Sequence, residues 1–318
     1  MTSTTAPFQP NTSRLWFGDF AFGLRGVTVR KTGVVVPYSP SVLAEVSAWF
    51  KFFFAAQSAQ PIGAPFKIAF APEPARPWYL IWATTRLAGA RIVKDPANAD
   101  VVMHFEDATF SPNLPPDSAR TNAKLVNFRC TDVSKSKVAE LNQGVFGRSL
   151  RVDPSQHHGQ AVEKSEINGA HDGRIVNCPI EAQPGRVYQR LVDNRGPNLD
   201  VVDDLRTVVV GARPVVVFIK RRPVTKRFQN TNSEVLLRMP EEVFSAEEIE
   251  RVSAFADGLG LDCGGLDVLR ERSDGTLYIV DANKTDMGPP IALPISEKMQ
   301  ATRLLATAFR KFALERAC

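Results

Sequence analysis

The stretch Gly265-Leu266-Asp267-Val268-Leu269-Arg270, followed by Gly275-Thr276-Leu277-Tyr278-Ile279-Val280-Asp281-Ala282-Asn283, decides how this chain is read. Both segments alternate as strands do, and Ser273-Asp274-Gly275 between them is a natural hairpin turn. Pairing the strands about that turn brings Asp267 near Asp281 and Asn283. Asp281 and Asn283 lie two residues apart, so an extended segment projects both to one face. Two carboxylates and an amide oxygen are hard ligands suited to Mg²⁺, which keeps water or phosphate oxygens in its other positions. The same pattern also serves an ordinary hairpin with exposed aspartates and a turn-forming asparagine.

Three further elements precede it. Val162-Glu163-Lys164-Ser165-Glu166-Ile167-Asn168-Gly169-Ala170-His171-Asp172-Gly173 sets a lysine on a strand before a loop with two glycines. Such glycines let backbone N–H groups approach phosphate oxygens, and the same texture occurs in many solvated hairpins. Val187-Tyr188-Gln189-Arg190-Leu191-Val192-Asp193-Asn194 is an apolar strand ending in polar groups. It could offer main-chain groups to a base and a carboxylate to sugar hydroxyls. Then Asp204-Leu205-Arg206-Thr207-Val208-Val209-Val210-Gly211 and Val216-Val217-Phe218-Ile219-Lys220-Arg221-Arg222 form a hairpin turning at Gly211–Pro214. Its basic end could meet phosphate or solubilise an edge strand.

Around these elements the chain has 318 residues, 44% hydrophobic and 23% charged, which excludes a disordered or coiled-coil protein. No run approaches the ~18 apolar residues of a membrane helix. Met1–Pro10 lack the basic cluster and apolar core of a signal peptide and read as a frayed tail. The net charge of +5 has one real basic cluster, Lys220 to Arg222 with Lys226-Arg227, without interleaved aromatics, so nucleic acid is not an expected partner. Cys130, Cys178, Cys263 and Cys318 are too scattered for a zinc or disulfide framework, and a reduced, cytoplasmic setting follows.

Three units are expected. Residues 1–59 form an N-terminal extension ending in a helix over Ser41–Gln57, with Ser41 as cap and Leu43, Val46, Phe50 and Phe54 on one face. Residues 60–148 alternate strands (Phe66–Ala71, Arg91–Val93, Val101–Phe105, Ala123–Phe128) with helices (Pro77–Leu87, Ser134–Asn142), which indicates a small parallel α/β layer. Residues 149–318 carry strand pairs and two patterned helices, Ala246–Gly258 and Ile295–Arg316, an α+β arrangement.

In this order the elements resemble the ATP-grasp superfamily, in its branch of ribosomal-protein-modifying glutamate ligases and related carboxylate–amine ligases. Asp204-Leu205-Arg206, Val209-Val210-Gly211, Lys220-Arg221, Arg227-Phe228 and Asn230 match the first part of the family pattern. Gly265-Leu266-Asp267-Val268 and Asp281-Ala282-Asn283 match the second. The resemblance covers residues 150–290 and, more loosely, the layer before them. It implies an ATP-grasp fold, two α+β subdomains sandwiching ATP, preceded by a parallel α/β domain. Lys164 would contact phosphate under a loop running from Gly169 to Gly173. Gln189, Arg190, Leu191 and Val192 would be the adenine hinge, with Asp193 near the ribose. Arg206 and Arg221, with Lys220 beside them, would face phosphate or the acyl phosphate. Asp267, Asp281 and Asn283 would hold Mg²⁺, with Mn²⁺ as an alternative. Asp281 stands where the pattern usually has Glu, and its spacing from Asp267 calls for a slightly longer hairpin loop.

The reaction implied is ATP-dependent amide or peptide bond formation between a small-molecule or peptide carboxylate and an amine, with release of ADP and phosphate. A phosphotransferase and a non-catalytic ATP-binding protein are the rival readings. Arg227, Asn230, Asn232 and the Lys284–Pro290 loop are candidate acceptor contacts.

Overall fold

The computed structural model describes residues 16–31, 33–112, 114–117, 122–170, 172–196, 199–229 and 232–315. After a 3-10 turn at Trp16–Asp19, the described residues form a three-stranded antiparallel sheet, β1 (Phe20–Phe22), β2 (Gly26–Val29) and β3 (Val35–Pro37). Helix α1 (Pro40–Ser58) follows; its cap is Ser39, whose hydroxyl accepts from the Val42 N–H, with Pro40 at the first helical position. The Leu43–Val46–Phe50–Phe54 side of α1 faces outward, while Phe52 and Ala56 are buried.

A four-stranded parallel sheet comes next, from β4 (Phe66–Pro72), α2 (Leu80–Leu87), β5 (Ala90–Ile92), β6 (Val101–Phe105) and β7 (Lys124–Val126), in the order β5-β4-β6-β7. All five residues of β6 are buried, as expected of a strand covered on both faces. Helix α3 (Lys135–Phe146) starts on the Ser134 cap and ends on Gly147 in the left-handed conformation, φ 68°.

The chain then builds a small antiparallel sheet from β8 (Gly159–Ser165), β9 (Arg174–Cys178) and β10 (Arg186–Arg190), with β8 in the centre. The largest sheet takes β11 (Val201–Val210), β12 (Arg213–Pro223) and β13 (Glu234–Arg238). After α4 (Pro240–Val243) and α5 (Ala246–Leu259) it is completed by β14 (Cys263–Arg270) and β15 (Leu277–Asn283), in the order β13-β12-β11-β14-β15. Helix α6 (Ile295–Leu314) closes the described chain. The β11–β12 turn is Gly211-Ala212 with both φ values positive, 61° and 57°, the two-residue turn whose twist suits a hairpin.

The five-stranded sheet has two unlike faces. On one, Leu205, Val209, Val217, Leu266, Val268 and Ile279 pack against α3 and α5. On the other, Val208, Val210, Val216, Phe218 and Cys263 pack against α6, α2 and the parallel sheet through Leu305, Phe309, Leu80 and Ile68. Each fully buried Leu or Phe here contributes about 1.5–3 kcal/mol. Asn127 pins the parallel sheet to the large one. At φ 63° its side chain accepts from Cys263 N–H and donates to Cys263 C=O, both at 2.8 Å. The second, apolar face does not run the full length of its strands. Beyond Val208 and Phe218 it turns polar.

Candidate functional site

Strand alternation produces the polar patch. Even-numbered residues of β11 and β12 share the second face, so Val208 is followed toward the strand end by Arg206 and Asp204, and Phe218 by Lys220 and Arg222. On β14 the same face carries Cys263, Gly265 and Asp267, and Arg206 lies directly opposite Asp267. Asp267 is in turn opposite Asp281, and Gly265 opposite Asn283. Directly opposed residues of an antiparallel pair have Cα atoms about 4.5–5.5 Å apart, so the two carboxylates are neighbours.

A β-bulge makes this register work. Val268 pairs with Ile279 while Asp267 pairs with Asp281, which leaves Val280 as the extra residue. One residue of the long Asp267–Asp281 spacing is therefore taken up at the bulge. Ile279 can face the helices and Asp281 the opposite side, although they are only two apart. The Val280 carbonyl leaves the ladder and accepts a hydrogen bond from Lys164 Nζ at 3.2 Å. The bulge thus docks the small sheet onto the patch. Lys164 and Gln189 lie on the same face of that sheet, since Val187 is opposite Lys164 and Gln189 opposite Val162.

Charge fills the space between. Arg206 is buried between Asp267, 2.9 Å away, and Asp286, 2.7 Å away. Gly265 makes room for this arrangement, because a Cβ there would sit 2.3 Å from Asp286 Oδ2 and 2.6 Å from Arg206 Nε. Burial works to raise the Asp267 carboxyl, but Arg206 and Lys220 outweigh it and hold it at about 2. Burial and the nearby Arg206 push the Lys220 ammonium down, and no ion pair engages Lys220 among the described residues. Lys164 is pushed down to about 8 by burial, against the pull of Asp281.

Lys135 was not among the residues singled out in the sequence. It occupies the first position of α3, is buried, and sets Nζ 2.6 Å from Asp281 Oδ1 and 3.1 Å from Asn168 Oδ1. A signal existed: Lys135, Val138, Ala139, Asn142 and Phe146 form the buried stripe of α3, and a lysine within such a stripe must find a polar partner.

The loop after β8 is anchored at several points. Glu166 accepts from Ser136 N–H and from its hydroxyl, Asn168 N–H donates to Thr109 Oγ1 at 2.9 Å, and Asp172 accepts from Ser165 N–H. Gly169 is open, at φ 72°, while Gly173 abuts the Phe228 ring. His171 and Asn230 lie outside the described residues.

The segment after β10 is also held. Gln189 is buried, and its Nε2 has no hydrogen-bond partner among the described residues. Arg190 N–H donates to Leu150 C=O, and its guanidinium to the Tyr278 hydroxyl. Leu191 is half-buried and Val192 buried, and Val192 C=O accepts from Arg227 at 3.0 Å, which places Arg227 at this segment. Asp193 is clasped by Arg195 at 2.7 Å.

Arg221 is not brought to the patch. As an odd-numbered residue of β12 it points to the other face, where it pairs with Asp203 at 3.1 Å and Glu234 at 2.9 Å. Arg222 takes the place expected for it, in contact with Asp204 and close enough to Asp267 to help hold that carboxyl down. In the loop after β15, Asp286 belongs to the Arg206 cluster, and Lys284 Nζ is buried with no hydrogen-bond partner among the described residues. Asn232 has a buried Oδ1 that likewise finds no hydrogen-bond partner among the described residues.

Among the described residues no group of three His, Cys, Asp or Glu side chains converges. A divalent metal here would rest on Asp267, Asp281 and the Asn283 amide, all hard oxygen donors on one face, and such a set fits Mg²⁺. Asn283 Oδ1 accepts from the Thr285 N–H at 2.8 Å and from its hydroxyl at 3.1 Å, an Asx turn that fixes the amide's orientation. No described helix is long and apolar enough to cross a membrane.

No family model and no curated protein matches the chain. Solved structures do resemble it. A RimK-domain ATP-grasp protein of Sphaerobacter thermophilus is 13% identical, with 78% of this chain and 100% of that one covered at a TM-score of 0.46. The ATP-grasp ligase PsnB, in complex with a phosphomimetic variant of its minimal precursor, Mg and ADP, is 11% identical, with 76% and 98% covered at 0.49. An L-amino acid ligase from Bacillus licheniformis is 13% identical, with 81% and 76% covered at 0.43.

Proposed function

We propose that the chain is an ATP-dependent carboxylate–amine ligase of the ATP-grasp type, with residues 149–318 as the nucleotide-binding unit and 60–148 as the domain before it. The observation that carries this reading is the polar end of the five-stranded sheet. There Asp267 and Asp281 face each other with Arg206 and Lys220 beside them, and Lys164 reaches over from the small sheet. The order of the sequence elements supports the same reading.

Nucleotide would lie between the two sheets, its base toward Gln189–Val192 and its phosphates toward Lys164 and the Gly169–Gly173 loop. Mg²⁺, or Mn²⁺ in its place, would be held by Asp267, Asp281 and Asn283 and would supply neutralisation of phosphate charge. The chemical difficulty is that a carboxylate must approach a polyanion. Arg206 and Lys220 answer it by placing two cations where carboxylate and transferring phosphoryl group meet. Attack of the carboxylate oxygen on the γ-phosphorus breaks the bond to ADP and gives an acyl phosphate. The amine then displaces phosphate, loses a proton and leaves the amide.

The test is to incubate the protein with MgATP and pools of carboxylates and amines, and to measure ADP and phosphate. Hydroxylamine in place of the amine should trap the acyl phosphate as a hydroxamate. A phosphorylated product that survives hydroxylamine would make the protein a phosphotransferase. Nucleotide binding without turnover across the pools would make it a binding protein.

A further inference from the structure

We propose that the outward face of α1 is a contact surface for a second copy of this chain, the two helices pairing antiparallel about a two-fold axis between Ala48 and Trp49. The inference goes beyond the nucleotide site and does not depend on it.

Helix α1 is apolar on both sides. Phe52 and Ala56 are buried on one, and Phe53 stacks on Trp82 with ring centroids 5.4 Å apart. At 3.6 residues per turn, Leu43, Phe50 and Phe54 lie within about 40° of one another on the opposite side, with Val46 on one flank and Ser47 and Lys51 on the other. Leu43, Val46 and Phe54 are 58%, 44% and 62% exposed, and Phe50 stacks on Phe54. A helix that is apolar all round is ordinarily covered all round. Among the described residues, nine of the 21 exposed large hydrophobic side chains fall between Phe17 and Phe54, so the uncovered apolar surface is concentrated here.

The stripe is complementary to itself. The midpoint of Leu43 and Phe54 is also the midpoint of Ser47 and Phe50. An antiparallel pair centred there sets Leu43 of each copy level with Phe54 of the other, and each Phe50 level with the small Ser47. Every Phe50 ring then has a gap to enter, as a knob enters a hole. Size and charge fit the same occupant. Tyr38, 51% exposed, lies just before the helix cap, and Phe17 stacks on Trp16 beside Trp49. With these two, the face offers on the order of 600 Å² per copy. The pair would bury on the order of 1,200 Å², the low end of specific interfaces, which suits a micromolar dimer. A membrane surface fits less well, because an interfacial helix needs a strongly charged face. Helix α1 contains only Glu45 and Lys51 as charged residues, and its second face is in the core.

The experiment follows the full chain by sedimentation velocity from about 1 to about 300 µM, a range that brackets the affinity of so small an interface. Wild type should pass from monomer to dimer. Leu43→Glu and Phe54→Lys, both at exposed helical positions, should each weaken the dimer at least about tenfold by burying an unpaired charge. An equimolar mixture of the two should associate again where each alone is monomeric. Antiparallel pairing sets position 43 of one copy against position 54 of the other. The mixture therefore joins glutamate to lysine at one contact and keeps Leu43 on Phe54 at the other. A wild type that stays monomeric throughout would overturn the inference, and its pelleting with phosphatidylserine-containing vesicles would assign the face to a membrane. A dimer that survives both substitutions, or a mixture that stays monomeric, would overturn it equally. Should a charged variant not fold, Phe54→Ser should still weaken the dimer, and an unchanged dimer there would overturn the inference as well.

Discussion

Replacing Gly265 by alanine adds a single methyl group at the most crowded point of the cluster. No unusual backbone angle is involved, so the effect is one of contact alone. The new Cβ would lie 2.3 Å from Asp286 Oδ2 and 2.6 Å from Arg206 Nε, where ordinary contacts begin at 3.4 Å. Both side chains must retreat by about 1 Å, although Arg206 is buried and Asp286 has little exposed surface. Overpacking of this kind costs about 1–3 kcal/mol. A retreat of that size also stretches the Arg206 pairs with Asp267 and Asp286 beyond hydrogen-bonding distance, and complete loss of a buried pair costs about 3–5 kcal/mol. With partial relaxation, Gly265→Ala should destabilise the protein by about 2–4 kcal/mol, read as a lower urea midpoint at unchanged slope. Turnover should fall by about a hundredfold through displacement of Arg206. Gly144→Ala is the control. That position lies within α3 with nothing within 4 Å, so a gain of about 0.5–1 kcal/mol is expected. If Gly265→Ala melted within about 0.5 kcal/mol of wild type and kept its turnover, the packing account of the Arg206 cluster would be wrong.

Lys164 sets a pH dependence. Its ammonium sits at about 8 against a usual 10.5, burial being the main cause, with Lys135 adding to it and Asp281, Asp267 and Asp172 opposing. The charged form is the one the ligand-free fold penalises, so this group adds stability as pH rises from 8 toward 10.5. A phosphate beside it reverses the preference. Nucleotide affinity should be flat below pH 8 and fall up to about tenfold per unit above it, with proton uptake on binding visible by calorimetry at pH 9. Affinity constant to pH 9.5 would remove Lys164 from the phosphate site. Asn127→Ala should cost about 2–4 kcal/mol by leaving both Cys263 backbone groups unpaired, and Asn127→Gly, which relieves φ, should recover only a small part of that by urea melting.

The period-2 alternation around Asp267 and Asp281 was enough to place both carboxylates in one hairpin, and it did so because each strand is apolar on one side and polar on the other. The bulge at Val280 was not legible. A valine in a run of valine, isoleucine and leucine carries no mark of being the unpaired residue, and only the positions of Ile279 and Asp281 on opposite faces reveal it. Lys135 escaped notice because a lysine in the first turn of a helix normally reaches water. Here α3 packs its N-terminal turn against β15, a contact whose one local sign is the alignment of Lys135 with Val138, Ala139, Asn142 and Phe146. The face of α1 was misleading for a related reason: Leu43, Val46, Phe50 and Phe54 make the longer apolar stripe, yet the core takes Phe52 and Ala56 because α2 and α6 approach from that side. The N-terminal sheet offers little pattern to read, since its three strands are only three or four residues long.

The run Lys220-Arg221-Arg222 shows where register decides function and composition cannot. Three consecutive cations look equivalent in sequence, but a strand sends the middle one to the opposite side. Arg221 is spent on Asp203 and Glu234, a half-exposed network. Arg221→Met should therefore cost no more than about 1 kcal/mol and leave nucleotide binding and turnover as in wild type. Lys220→Met should behave in the opposite way. Its ammonium is disfavoured first by burial and then by Arg206, against the pull of Asp267, Asp286 and Asp204, so replacing it with an uncharged side chain of similar length relieves the fold. A group retained against its own stability is expected where an anion must bind. The Lys220→Met protein should melt at a higher temperature than wild type without ligand, gain less from added MgATP, and turn over more slowly. Thermal melting with and without MgATP separates the two residues in one experiment. A Lys220→Met protein that melts lower than wild type, paired with an Arg221→Met protein that has lost its response to MgATP, would mean that the patch is not the anion site and that the opposite face of β12 is.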